Sequence, residues 1–131
     1  SYVQGRQAWN EMLQLLDPSW IRDTNQANMT ITLNGPTEEV WGLIELKSAD
    51  NAQSLQTVGL DFLWVSESQD IPNAAAEKLR PTLRQAGRMG KAVYEGIPSL
   101  YPEHWFRRGC AAAERGAHKN HRYFHYRSRR R

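Results

Sequence analysis

The residue in this chain best placed to do chemistry is a carboxylate at the end of an apolar run. In Leu60 to Asp70, LDFLWVSESQD, the residues Phe62, Leu63, Trp64 and Val65 lead directly into Ser66 and Glu67. A short apolar run closed by a polar turn predicts a strand buried on both faces, the usual state of a central strand in a parallel sheet. Ligands of open α/β sheets bind beyond the carboxyl ends of the strands, so Glu67 is placed to act on one. The alternative is a solvated acid at a strand end. Other groups carry weaker signals. His118, His121 and His125 have a spacing that suggests metal, but a strand over His121 to Ser128 puts only His121 and His125 on one face, with no third fixed ligand. They read as part of a basic surface, and no metal site is assigned. Arg80, Arg84 and Arg88 read as a solvated helix face or as a source of one arginine reaching a neighbouring subunit's nucleotide. Asp61 serves the turn into the strand, and Glu45 and Glu95 lie at strand ends without an identified partner.

Over the whole chain, 131 residues with 40% hydrophobic and 24% charged content fit one soluble domain able to bury a core. The apolar runs are too short to span a bilayer, and the opening SYVQGRQAW lacks the layout of a secretory signal, so no membrane association and a cytoplasmic location are expected. The one cysteine, Cys110, excludes an internal disulfide and a thiol-rich zinc site, and reads as a helix-packing residue. The net charge of +3 is unevenly spread. From Arg107 onward the chain carries Arg107, Arg108, Arg115, Lys119, Arg122, Arg127, Arg129, Arg130 and Arg131 against Glu114. Such a block, at about residues 118–131 most of all, suits contact with a phosphate backbone or a solvated tail.

The elements that must hold Glu67 follow from periodicity. Ser1 to Asp17 is predicted to be an amphipathic helix with Trp9, Met12, Leu13 and Leu16 on one face, ended by Pro18. Trp20 and Ile21 are read as an apolar patch in a connection whose Arg22, Asp23, Asn25 and Asn28 are loop. Met29 to Leu33 and Val40 to Leu46 are strands around the Asn34-Gly35 turn. The polar stretch Ser48 to Gly59 delivers the chain to the Leu60 strand, at the edge where ligands bind. A helix over Ala74 to Arg80, restarted or kinked at Pro81, leads to the basic loop Arg84 to Lys91. Ala92 to Tyr94 is a second short strand, ending in Glu95-Gly96-Ile97-Pro98-Ser99. A helix over His104 to Glu114, with Trp105, Phe106 and Cys110 inward and Gly116 near its end, precedes a last edge strand over His121 to Ser128. Strands alternating with helices predict an α/β fold with a mostly parallel sheet.

An acid-tipped strand followed by a strand ending in a small-residue turn is the layout of nucleotide hydrolases, in which adjacent strands present a base and a phosphate sensor. The order of features resembles the ATPase domain of the large terminase subunit, the motor that packages DNA into the heads of tailed bacteriophages. The correspondence runs through Tyr2 to Trp9, the turn Asn34-Gly35, Ser54 and Leu55, Gly59 to Phe62, the Walker B-like Leu60 to Glu67, Leu79 to Leu83, the coupling-motif segment Gly96-Ile97-Pro98 and the pair Trp105-Phe106. It covers nearly the whole chain. The resemblance implies a partial P-loop NTPase of RecA-like, three-layer fold. It implies that Glu67 is the catalytic carboxylate that orients the attacking water, with Ser66 beside the nucleotide and Mg2+. It also implies that the intact parent uses ATP and Mg2+, couples hydrolysis to DNA translocation in the infected cell, carries a separate nuclease domain, and meets DNA, the small terminase subunit and the portal protein as a homo-oligomeric ring.

Three departures bear on activity. The family's Walker B motif ends in Asp-Glu, where this chain has Ser66-Glu67, so a hydroxyl stands in place of a charge near the metal. The coupling threonine is Ile97. The sequence Gly-x-x-x-x-Gly-Lys-Ser/Thr, whose backbone cradles phosphates, does not occur in the chain. The expectation is a piece of the motor that does not hydrolyse ATP by itself. The competing reading is a non-enzymatic nucleic-acid or assembly module acting through the basic carboxyl end, with Arg122, Arg127, Arg129, Arg130 and Arg131 as the contact residues.

Overall fold

The computed structural model describes residues 2–50, 55, 59–87 and 89–126. It is a mixed α/β chain that divides into two units, Ser1–Ser54 and Leu55–Arg131.

In the first unit, helix α1 (Tyr2–Leu15) stops where Pro18 removes the helical donor, and Asp17 caps the short 3₁₀ turn Pro18–Trp20 by accepting the Ser19 N–H. The chain then enters β1 (Ile21–Asn25), which pairs antiparallel with β2 (Thr30–Asn34), and β2 pairs antiparallel with β3 (Trp41–Glu45). The expected strands after Met29 and Val40 form, but Ile21 to Asn25 is a strand where loop was expected. Its side chains beyond Ile21 are exposed, so a polar edge strand there leaves no apolar alternation to read. Its tight connection is held by the Asn25 side chain, whose Oδ1 accepts the Asn28 N–H at 3.1 Å, and by Met29 in a left-handed conformation. Asn34, at the far end, accepts from Arg22 and donates to the Ser19 carbonyl. Among the described residues of this unit, Trp9 and Ile31 are the buried side chains.

The second unit is built on a parallel pair, β4 (Phe62–Val65) and β5 (Lys91–Tyr94), in the register Phe62 opposite Lys91 through Val65 opposite Tyr94. The connection between them contains the 3₁₀ turn Ser68–Asp70, helix α2 (Asn73–Leu79) and the 3₁₀ segment Arg80–Gly87. Helix α3 (Trp105–Glu114) follows, with His104 as its N-cap. Parallel pairing is thus present, but among the described residues it is confined to these two strands, and the larger sheet is antiparallel.

β4 is not buried on both faces as its composition suggests. Phe62 and Trp64 are 56% and 55% exposed, while Val65 is buried and Leu63 is half-buried. Alternation explains the split: Leu63 and Val65 share a face with Ala92 and Tyr94, and Phe62 and Trp64 share the other with Lys91 and Val93. Among the described residues of this unit, the first face is the one that packs on a helix. Tyr94 meets Trp105 edge to face, with ring centroids 5.3 Å apart, and Trp105 meets Phe106 in the same way at 5.7 Å. Leu55, Ala75, Ala76 and Leu79 complete the buried apolar set of this unit. The expected strand over His121 to Ser128 does not form across residues 121–126, which have no regular structure. Tyr123 is the one half-buried side chain in that stretch, too little to anchor a strand. No helix among the described residues is long and apolar enough to cross a membrane.

Candidate functional site

Glu67 is the second residue past the end of β4, and it adopts a left-handed conformation with φ 52° and ψ 50°. That geometry is disfavoured for a residue with a Cβ, so the turn must be over-determined by its surroundings. Three backbone bonds do this. The Ser68 N–H donates to the Glu95 carbonyl at 2.8 Å, the Glu95 N–H to the Val65 carbonyl at 3.0 Å, and the Asp70 N–H to the Glu67 carbonyl at 2.9 Å. The Ser68 side chain is fully buried and donates back to the Val65 carbonyl at 3.1 Å. The β4 turn and the β5 turn are therefore one hydrogen-bonded edge.

Side chains add two further links. Ser66 Oγ donates to Glu95 Oε1 at 2.9 Å. Gln69 Nε2 donates to Glu67 Oε2 at 2.6 Å, and Gln69 Oε1 accepts the Ile97 N–H at 3.0 Å. Gly96 lies against this bridge: a Cβ there would strike the Gln69 amide oxygen and stand 3.0 Å from the Ser68 nitrogen. The residues singled out by sequence, Ser66, Glu67, Gly96, Ile97 and Pro98, thus meet at one sheet end. Gln69 was not among them, and Glu95 had no assigned partner.

Glu67, Ser66 and Glu95 are exposed, which leaves their oxygens open to water or ligand. Beside them an open groove of about 570 Å³ is lined by Gln69, Asp70, Ile71 and Pro72 on one side and by Ile97 to Tyr101 with His104 on the other. Its floor is braced by α3. His104 Nδ1 accepts the Phe106 N–H at 3.1 Å, and its Nε2 contacts the Ile71 carbonyl at 2.8 Å. With Nδ1 accepting, Nε2 is the donor to that carbonyl. The Trp105 indole N–H donates to the same carbonyl at 2.7 Å, and Asn73 Oδ1 accepts the Trp105 N–H at 2.9 Å.

The remaining candidates lie elsewhere. Among the described residues no group of three or more His, Cys, Asp or Glu could hold a metal ion. The rings of His118 and His121 meet at a tilt of 47° with centroids 4.8 Å apart, and His125 pairs with Tyr123. Arg122 donates to the carbonyls of Lys119 and His121 and so braces its own loop. Cys110 has its thiol pushed up by burial and by the nearby Glu114 carboxylate, which suits a packing residue and not a nucleophile. Burial likewise raises the Tyr94 hydroxyl, against the opposing effect of Arg80. Ser54, Arg88, Arg127, Arg129, Arg130, Arg131 and most of the stretch between Ser48 and Gly59 lie outside the described residues.

No protein-family model matches the chain, and neither a curated protein nor a solved structure matches it.

Proposed function

We propose that this chain is part of the ATPase domain of a viral DNA-packaging motor of the terminase large-subunit kind, with a partial RecA-like fold in which β4 is the Walker B strand and β5 the coupling strand. The observation that carries the reading is the parallel, in-register pairing of β4 with β5, which brings Glu67 and the segment Gly96-Ile97-Pro98 to the same sheet end. That is the placement an acid and a sensor need to act on one phosphate. On this reading Glu67 accepts a hydrogen bond from the attacking water and orients it at the terminal phosphate of ATP, a role that depends on an ionised, exposed carboxylate held at a fixed position.

The residues present suit the water side of that chemistry and not the phosphate side. Ser66 brings no charge, and its hydroxyl donates to the Glu95 carboxylate at 2.9 Å. The phosphate-cradling loop is missing from the 131 residues, so the isolated chain turns over no ATP. In the motor, hydrolysis at this edge drives DNA toward the portal, with the small terminase subunit and further copies of the motor as partners.

The adjoining coding sequence gives the first test: a phosphate-loop motif in frame ahead of Ser1 is expected, and an open reading frame without one overturns the proposal. The second uses the product that carries the loop. It should hydrolyse ATP with a magnesium requirement, and Glu67→Gln should lower kcat by about 10²–10⁴-fold, the range lost with a positioned general base. A Glu67→Gln protein retaining a third of the wild-type kcat would remove Glu67 from the mechanism.

A further inference from the structure

We infer that Gln69 is a positioning residue that ties the Glu67 carboxylate to the backbone of the Gly96-Ile97-Pro98 segment, so that neither can move without the other. The polarity of the amide is forced from both ends. The Ile97 N–H can only donate, so the atom 3.0 Å from it must be the Gln69 oxygen. The other end of the amide is then the NH₂ group, which donates at 2.6 Å to Glu67 Oε2, an atom that can only accept when ionised. A reversed amide would set N–H against N–H and oxygen against oxygen. Glutamine is therefore the side chain that suits this place by both length and polarity, and Gly96 leaves room for it, since a Cβ there would occupy the amide oxygen's position.

The link restores from the β4 side what the β5 turn cannot supply. Ile97 has no side-chain polar group, so its contribution to any signal passes through its N–H, and that N–H is held by Gln69. A displacement of Ile97 pulls the amide, and the amide turns the carboxylate. That this serves hydrolysis rests on the ATPase reading; that the two segments are linked does not.

Backbone amide exchange by NMR on the chain as it stands tests the link without nucleotide. Gln69→Glu keeps an acceptor for Ile97 but sets two carboxylates against each other, and Ile97 N–H exchange should rise about tenfold, the scale of one lost hydrogen bond. The polarity-swapped double variant Glu67→Gln/Gln69→Glu re-creates a donor at 67 and an acceptor at 69, and exchange should return to within about twofold of wild type. The Ser68 and Glu95 amides, bonded to backbone carbonyls, should hold their rates in both proteins and so report an intact fold. Unchanged Ile97 exchange in Gln69→Glu, or a double variant as fast as the single, overturns the inference. If a loop-bearing product proves inactive toward ATP while the swap still restores Ile97, the ATPase reading fails and the link stands.

Discussion

Replacing Gly96 with alanine perturbs the candidate site at its tightest point. The new Cβ would stand 3.0 Å from the Ser68 nitrogen and inside the space of the Gln69 amide oxygen, at a backbone φ of +155° that L side chains rarely adopt. Relief requires the Gln69 side chain to swing away, which gives up its bonds to the Ile97 N–H and the Glu67 carboxylate, about 1–3 kcal/mol together. Residual crowding against the Ser68 backbone adds about 1–3 kcal/mol, and the positive φ adds about 1–3 kcal/mol of backbone strain. Alanine also restricts the unfolded chain, which returns about 0.4–1 kcal/mol. The net expectation is a loss of about 4 kcal/mol for the unit that holds β4 and β5. Urea unfolding followed through the amide resonances of those two strands should show a midpoint lowered by about 1–4 M at the slopes usual for small proteins. Gly109→Ala is the matched control, because nothing lies within 4 Å of its added Cβ in the middle of α3, and it should stabilise by about 0.5–1 kcal/mol through helix propensity alone. A Gly96→Ala midpoint at or above wild type would refute the close packing of Gln69 against Gly96.

Two further perturbations test the packing of α3 in the second unit and the Asp17 cap in the first. Trp105→Ala removes a buried ring that packs against Tyr94 and Phe106, and should cost about 3–5 kcal/mol by urea unfolding. Trp105→Phe should cost less by at least about 2 kcal/mol, because His104 remains on the Ile71 carbonyl when the indole donor is lost; equal costs would show that the indole hydrogen bond, and not the ring packing, holds α3. In the first unit, hydrogen bonds from the backbone and the hydroxyl of Ser19 hold the Asp17 carboxyl below its usual range. A depressed folded-state value means that the cap is present above the ordinary carboxylate range and is lost as pH falls through the lower folded value. The Ser19 amide resonance should therefore move on acidification below about pH 4 and be pH-insensitive in Asp17→Ala; a wild-type resonance that stays put down to about pH 2 would refute the cap.

Which elements could be read from the sequence follows from how each is stabilised. α1 and α3 carry their own signals, an apolar stripe with a proline stop in one and a Trp-Phe anchor behind a capping His104 in the other. β2 and β3 are marked by β-branched and apolar content around a turn. β1 has almost none, since its polar side chains face solvent and its pairing with β2 is a matter of backbone bonds and the Asn25 turn. β4 misled in the other direction. An apolar run looks the same whether both faces or one are covered, and what packs on each face decides it; here the face of Leu63, Val65 and Tyr94 meets Trp105, and Phe62 and Trp64 on the other are more than half exposed. The last expected strand does not form over residues 121–126: Tyr123 and Phe124 are adjacent, so the rings of HRYFHY fall on both faces and gather into no single apolar one, and Phe124 and Tyr126 are 73% and 87% exposed.

The site depends on a quantity that no single residue encodes, the offset between two parallel strands. Pairing Val65 with Tyr94 puts Ser66 beside Glu95, and the same offset of 29 positions reappears in their side-chain bond. Once that register is known, Glu95 ceases to be an isolated strand-end acid and becomes the charged neighbour of a serine that has none. The same register carries Glu67 and Gly96 to equal heights, which explains why the residue that joins the two turns is neither of them. Gln69 is one turn further on, where its side chain reaches back across both. A spacing of two from an acid is a weak signal by itself, and it becomes readable only with the small residue across the gap. The glycine that leaves room and the glutamine that fills it belong to the turns after two different strands and form one feature of the sheet edge.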